Sequence, residues 1–377
     1  MVYNDEGFLY PSRNESKCNN CEVCISTCPI INESKLKNKG RSTVYAAQNK
    51  DTDELIKSSS GGVFSVVARY VLERGGIVAG VAYGNGLNLK HVIISDAKEL
   101  DRLRGSKYFA AENHNIYVEI KETLKKGQLV CFSGTGCQVA ALKSFLHKDY
   151  DNLMTIDIVC HGTPSQKAFQ YFLIEFEKKH NEKVVDWKFR DKTIEGWQCS
   201  SSSSSVDPKG NTIKHYFDKI FKAYFNAFIS GDMYREGCYQ CPFACPERSG
   251  DITLADYWGV EQFHKDIDSF NGVSAVLVNN PKGERVFEEI KANLIYRETK
   301  LEWVSKINQN LLHPTHRTKR RNTIYKELSN NPKQTINSYC SNKEYYISYI
   351  KHIIKKFLRH HISVYRFIYK IKKGLIQ

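Results

Sequence analysis

Seven of the twelve cysteines of this 377-residue chain stand in two tight groups, and thiolates at close, regular spacing bind metal. Cys18, Cys21, Cys24 and Cys28, with Pro29 behind them, have the spacing C-x2-C-x2-C-x3-C-P, which presents four sulfurs from one short loop to a cubane of iron and sulfide. Cys238, Cys241 and Cys245, followed by Pro246, form the second group. Three thiolates leave such a site one ligand short, so a fourth comes from elsewhere, with Cys28 and Cys160 as candidates. The expectation is a 4Fe-4S cluster at the first group and a second cluster at the other. Zinc, which prefers paired C-x2-C knuckles, is the alternative.

Three turns have the composition of anion cradles. Leu129 to Leu142 reads as strand, glycine turn and helix start, so Gly134, Thr135, Cys137 and Gln138 stand where backbone N–H groups and a helix N-terminus face a phosphate. The third glycine of a dinucleotide fingerprint is missing. Ser60, Gly61 and Gly62 precede a helix and form a second such turn; Gly105-Ser106-Lys107-Tyr108 forms a third, with Lys107 as a point charge. A solvated loop is the plain alternative for all three. His161, in Val159-Cys160-His161-Gly162-Thr163-Pro164, follows an apolar strand and is the one candidate proton donor, unless it is simply a hydrogen-bonded strand end. Asp251 and Asp256 fall on opposite faces of a strand and make no paired acid-base site. Tyr257 and Trp258 either stack on a planar cofactor or pack in the core.

The segments between these residues alternate strand and helix, which predicts an α/β (α+β) fold. Residues 1–35 read as a cysteine-rich half domain too small for a core of its own. Residues 40–150 read as one α/β unit, residues 151–300 as a second unit carrying the second cysteine group, and residues 301–377 as a basic tail. The run Ser200 to Ser205 is a polar strand or loop. Lys and Arg exceed Asp and Glu by 55 − 41 = 14, and eight cations against one acid fall between Glu344 and Gln377. Half of the excess charge therefore sits in the tail, and no nucleic-acid-binding motif accompanies it, so nucleic acid is not expected as a partner. In that tail Ile347, Ile350, Ile354, Phe357, His361, Val364, Ile368, Ile371 and Leu375 form one helical stripe, with the lysines and arginines off it. Such a helix either lies on an anionic membrane surface or docks on protein. No stretch of 18 apolar residues predicts a membrane span, and the N-terminus lacks the apolar core of a signal peptide. Reduced thiols and a cytoplasmic location, peripheral to the inner face of the membrane if the tail binds lipid, are expected.

The first cysteine group resembles half of a bacterial two-cluster ferredoxin domain, in which the fourth Cys serves the other cluster; only one such run is present here, so either the reading frame starts late or one half of the domain is lost. Taken together, the cysteine run, Ser-Ser-Gly-Gly, Gly-Ser-Lys-Tyr, Gly-Thr-x-Cys-Gln, Val-Cys-His-Gly, C-x2-C and Gly250-Asp251-Ile252-Thr253-Leu254-Ala255-Asp256-Tyr257-Trp258-Gly259 resemble, in that order, the coenzyme F-420 hydrogenase/dehydrogenase beta-subunit family over about residues 10 to 300. The resemblance implies FAD, one 4Fe-4S cluster or two, and electron transfer between iron-sulfur centres and a two-electron carrier or substrate. The partner is then a ferredoxin-like donor or the deazaflavin coenzyme. Some relatives are encoded among surface-polysaccharide genes. By the same resemblance Ser60, Gly61, Gly62, Ser106, Lys107, Gly134, Thr135, Cys137 and Gln138 surround the flavin, while Cys18, Cys21, Cys24, Cys28, Cys238 and Cys241 are cluster positions. Two details depart from the family: Cys245 is an extra thiol, and Gly136 stands where the family often has Pro. The non-enzymatic alternative is a membrane-surface scaffold of a glycan-synthesis complex with structural metal at the cysteines. Oligomeric state is left open.

Overall fold

A computed structural model describes residues 1–360 and 362–372. Strands β1 (Val2–Tyr3) and β2 (Leu9–Tyr10) pair at the N-terminus. The body is an eight-stranded sheet that takes β3 (Thr43–Asn49), β4 (Ile77–Tyr83), β5 (Leu89–Ile94), β6 (Val130–Thr135) and β7 (Leu153–Ile158) from the first half of the chain. An insertion then carries a three-stranded antiparallel sheet, β8 (Lys183–Lys188), β9 (Ser202–Val206) and β10 (Thr212–His215). The chain re-enters the large sheet with β11 (Ile252–Asp256), β12 (Ser274–Val278) and β13 (Leu294–Thr299), giving the order β13-β3-β12-β11-β7-β6-β4-β5. Segments 40–150 and 151–300 thus contribute to one sheet, with β3 seated between β13 and β12.

Period-two alternation decides the layers. Val78, Ala82, Cys131, Met154, Ile156 and Val276 face the helices Val63–Leu72 and Pro281–Ile290. Their neighbours Ile77, Ala79, Val130, Phe132 and Leu153 face the helices Ile116–Lys125 and Gly136–Leu146. A third, strongly aromatic cluster joins the helices Gln166–His180 and Lys219–Ile229 to β8, and draws in Phe8 from the N-terminus and Tyr325 from beyond residue 300. The serine run becomes β9, with Ser202, Ser203 and Ser205 buried.

The four strands β4, β6, β7 and β11 run parallel, so their C-terminal ends open on one edge, where sheets of this kind bind ligands. The chain ends in the helices Asn342–His360 and Ile362–Lys372. His361 and Leu375 of the expected stripe lie outside the described residues. Among the described residues no helix is long and apolar enough to cross a membrane.

Candidate functional site

Two adjacent parallel strands bring the first pair of thiols together. Thr135 of β6 pairs with Ile158 of β7, and two residues beyond each lie Cys137 and Cys160. The segment holding Cys238 and Cys241 is brought to the same edge by a bridge between Pro164 and Tyr234 and by the Arg235 N–H, which donates to Thr163 O at 3.0 Å. The far side of that loop is fixed by Arg248, whose guanidinium donates to Phe243 O and Ile158 O and pairs with the fully buried Asp157 at 3.1 Å. Thr253 Oγ1 donates to the same carboxylate, tying β11 to β7.

Cys137, Cys160, Cys238 and Cys241 therefore stand in one neighbourhood, and their electrostatics say so. Burial pushes the Cys160 thiol well above its ordinary range, and the charges of Cys238, Cys137 and Cys241 push it further. Burial raises Cys238 to about 12, with Cys137 and Cys241 adding to the effect. Cys241 is raised by burial and by Cys137. Working against this, backbone N–H groups point at the sulfurs: Gly162 at Cys160, Thr163 at Cys238, Phe243 and Ala244 at Cys241. Four thiols from three segments, with N–H donors on three of the sulfur atoms, fit the donor set of a 4Fe-4S cluster. Cys245 does not join them; its Sγ donates to the carbonyls of Pro242 and Glu247 at 3.2 Å each, and its charge partners are Lys37 and Arg248.

The turn at residues 134–138, expected as a phosphate cradle, is closed by hydrogen bonds of its own. A reciprocal capping box joins Thr135 and Gln138, the Thr135 N–H donating to Gln138 Oε1 at 2.9 Å, which occupies donors an anion would need. The box instead fixes Cys137, whose Sγ lies 3.1 Å from Thr135 Oγ1. The other two turns converge on each other. Ser59 Oγ accepts from the Ser106 N–H at 2.6 Å, and Arg190 donates to Ser59 O, to Tyr108 Oη at 3.1 Å and to Asp256 Oδ2 at 2.8 Å. Ser60 Oγ donates to Val273 O, and the Gly61 N–H to Ser274 Oγ. A Cβ on Gly61 would collide with Ala47 and Ser274, so this turn is glycine because it lies against the sheet. Lys107 turns back on its own loop, donating to the carbonyls of Leu103, Arg104 and Gly105. Gly62, in the left-handed region at φ 77°, caps the helix Val63–Leu72, and Gly134 sits within β6 under the Gln138 side chain.

Arg190, Asp256, Trp197 and Lys192 escaped sequence reading as a group. Trp197 Nε1 donates to Asp256 Oδ1 at 3.3 Å, its ring stacks on Trp258 at 4.1 Å, and Lys192 Nζ donates to Ser60 O. The one local signal was the charged run Arg190-Asp191-Lys192 just past strand β8. His161 connects this group to the thiols: burial lowers its pKa, while the charge of Asp256 acts in the opposite sense.

The first cysteine group lies on a short exposed turn containing the helix Val23–Ser26, with Cys28 half-buried. Both ends of that turn are tied beside the second cysteine loop. Upstream, Arg235 covers the Tyr10 ring at 4.1 Å and donates to Leu9 O; downstream, the Asn38 N–H donates to Arg248 O at 2.8 Å.

Two family models match the chain, both described as coenzyme F420 hydrogenase/dehydrogenase, beta subunit: the N-terminal model over residues 44–117 and the C-terminal model over residues 127–302. No curated protein matches the chain. Among solved structures, a chain of the F420-reducing NiFe hydrogenase complex from Methanosarcina barkeri is 18% identical, with 78% of this chain and 93% of that chain covered and a TM-score of 0.46.

Proposed function

The chain belongs to the coenzyme F420 hydrogenase/dehydrogenase beta-subunit family, a family of electron-transferring oxidoreductases, and from that premise we propose that it is an iron-sulfur flavoprotein. In this reading Cys137, Cys160, Cys238 and Cys241 hold one 4Fe-4S cluster, Cys18, Cys21, Cys24 and Cys28 hold a second, and FAD lies against Ser59–Gly62, Ser106, Tyr108 and Arg190. The observation that carries it is the convergence of four cysteines at the C-terminal ends of β6 and β7, with the Arg190–Asp256 pair beside His161.

When bound, a flavin supplies the exchange between one-electron and two-electron chemistry. The protein's part is to position and to exclude water. Arg190, with a side chain only 3% exposed, is held by Asp256, Tyr108 and two carbonyls, so its guanidinium is fixed in place with its charge offset by Asp256. Trp197 and Trp258 offer a rigid aromatic platform, over which Arg190 lies at 5.1 Å. Tyr108, Phe228 and Tyr234 pack the space between Arg190 and the thiols. His161, whose pKa burial lowers, is the candidate to pass a ring proton to a reduced substrate. The electron partner is a ferredoxin-like donor or the deazaflavin coenzyme, met in the cytoplasm.

Anaerobic purification followed by iron, acid-labile sulfide, zinc and flavin quantification on one sample tests this. About eight irons and eight sulfides per chain with one FAD is the expected result, and about four irons remain in a Cys160→Ser variant. Stoichiometric zinc without iron or flavin overturns the reading and leaves a metal-stabilised scaffold.

A further inference from the structure

The two C-terminal helices are held to the body by one side only. On the helix Asn342–His360 that side is Tyr345, Tyr349 and His352, whose rings pack on Phe217 at 5.0 to 5.7 Å, together with Lys355 on Glu195. On the helix Ile362–Lys372 it is Tyr365, which donates to Glu195 O, and Tyr369, which meets Ser269. The isoleucine stripe points the other way. At 3.6 residues per turn, Ile350 and Ile354 are each two residues, more than half a turn, from His352, and they are 59% and 53% exposed. Ile347, Ile353, Val364, Phe367, Ile368 and Ile371 are exposed with them. A run of aliphatic side chains of this length left in water marks a binding surface.

The charges beside the stripe select the occupant. Lys351 flanks it on the first helix and Lys370 and Lys372 on the second, and all three are exposed; Lys356, one turn from His352, and Arg366, which reaches Asp268 at 4.0 Å and lies over the Phe270 ring, are turned toward the body. A second copy of the chain laid on this face would bring the two sets of cations together. Negatively charged headgroups pair with them while the isoleucines enter the acyl region, the arrangement of an amphipathic helix lying in a membrane interface. We propose that these helices dock the protein on an anionic lipid surface with the body held above it.

The test is co-sedimentation of the full-length, cofactor-loaded protein with vesicles of phosphatidylglycerol and phosphatidylcholine, and with vesicles of phosphatidylcholine alone. The expected result is binding to the anionic vesicles only, weakened by salt, and reduced at least about tenfold in Ile350→Ser/Ile354→Ser and in Ile350→Glu/Ile354→Glu. Iron, flavin and circular dichroism stay at wild-type values in both variants, because the stripe touches neither core nor site. Failure to bind anionic vesicles overturns the proposal, as does undiminished binding by both variants. A wild-type dimer that the serine variant dissociates also overturns it, and gives the stripe to a second copy of the chain.

Discussion

Cys137 sits at the second position of its helix, where a phosphate would ordinarily meet unpaired N–H groups, yet the Thr135–Gln138 box already uses donors there and leaves the thiol beside Cys160. Serine at this position keeps size and cap while removing the thiolate. Cys137→Ser is therefore expected to lower iron by about four per chain with FAD retained. Full iron with loss of flavin would return the residue to phosphate binding. Gly162 governs the partner thiol in another way. It adopts φ +136°, and a Cβ there would enter the Tyr234 ring, so alanine must push the Cys160–His161 turn off its support. Gly162→Ala should cost about 1–3 kcal/mol in denaturant unfolding and loosen iron binding; unchanged stability and iron would mean that the turn tolerates displacement. The Asp157–Arg248 pair is the third such point. With both side chains buried, Arg248→Met strands a carboxylate and is expected to destabilise by about 3–5 kcal/mol.

At the scale of elements, Glu195 is the clamp of the C-terminal helices. Burial alone would raise its pKa, but hydrogen bonds from His352 and Lys355 override this and hold it at about 2, against an ordinary 4.5. A carboxylate depressed in the folded state contributes fully above its unfolded pKa, and the contribution is lost as pH falls from about 4.5 to about 2; the shift corresponds to about 3 kcal/mol. Hydrogen exchange should therefore show residues 342–360 loosening over that acid window, and Glu195→Gln should loosen them at pH 7 as well. Protection that persists through pH 2 would remove Glu195 from this role. The same helices mark where sequence reading stops. Periodicity located them, but their docked side is polar and aromatic, and its partners Glu195 and Phe217 lie more than a hundred residues away. Short apolar runs made β4, β6, β7, β11 and β12 legible, as expected of strands covered on both faces, together with the helices between them. Strand β9 read equally as loop because buried serines have the composition of one. In the site, cysteine spacing was legible within each group, whereas the union of Cys137 and Cys160 with Cys238 and Cys241 follows from strand pairing that no local pattern records.

For the molecule as a whole, the question is where electrons enter. The N-terminal segment does not hang free: Phe8 is buried in the aromatic core against Tyr325, and Glu6 receives both terminal nitrogens of Arg321. The cysteine turn that follows is then suspended between Arg235 and Arg248, which bracket the second cysteine loop, while its own Cys18, Cys21 and Cys24 stay exposed. If both groups hold the proposed clusters, an exposed group beside a half-buried one is the order expected of an entry point followed by an inner relay. The two groups should therefore separate by donor. Cys21→Ser is expected to stop reduction of bound flavin by a one-electron donor such as reduced ferredoxin, while exchange with a two-electron carrier continues, because the inner four cysteines and the Arg190 site are untouched. Stopped-flow absorbance of the anaerobic protein distinguishes the routes. If Cys21→Ser leaves the one-electron route at wild-type speed, electrons enter elsewhere and the first group serves to order the N-terminus.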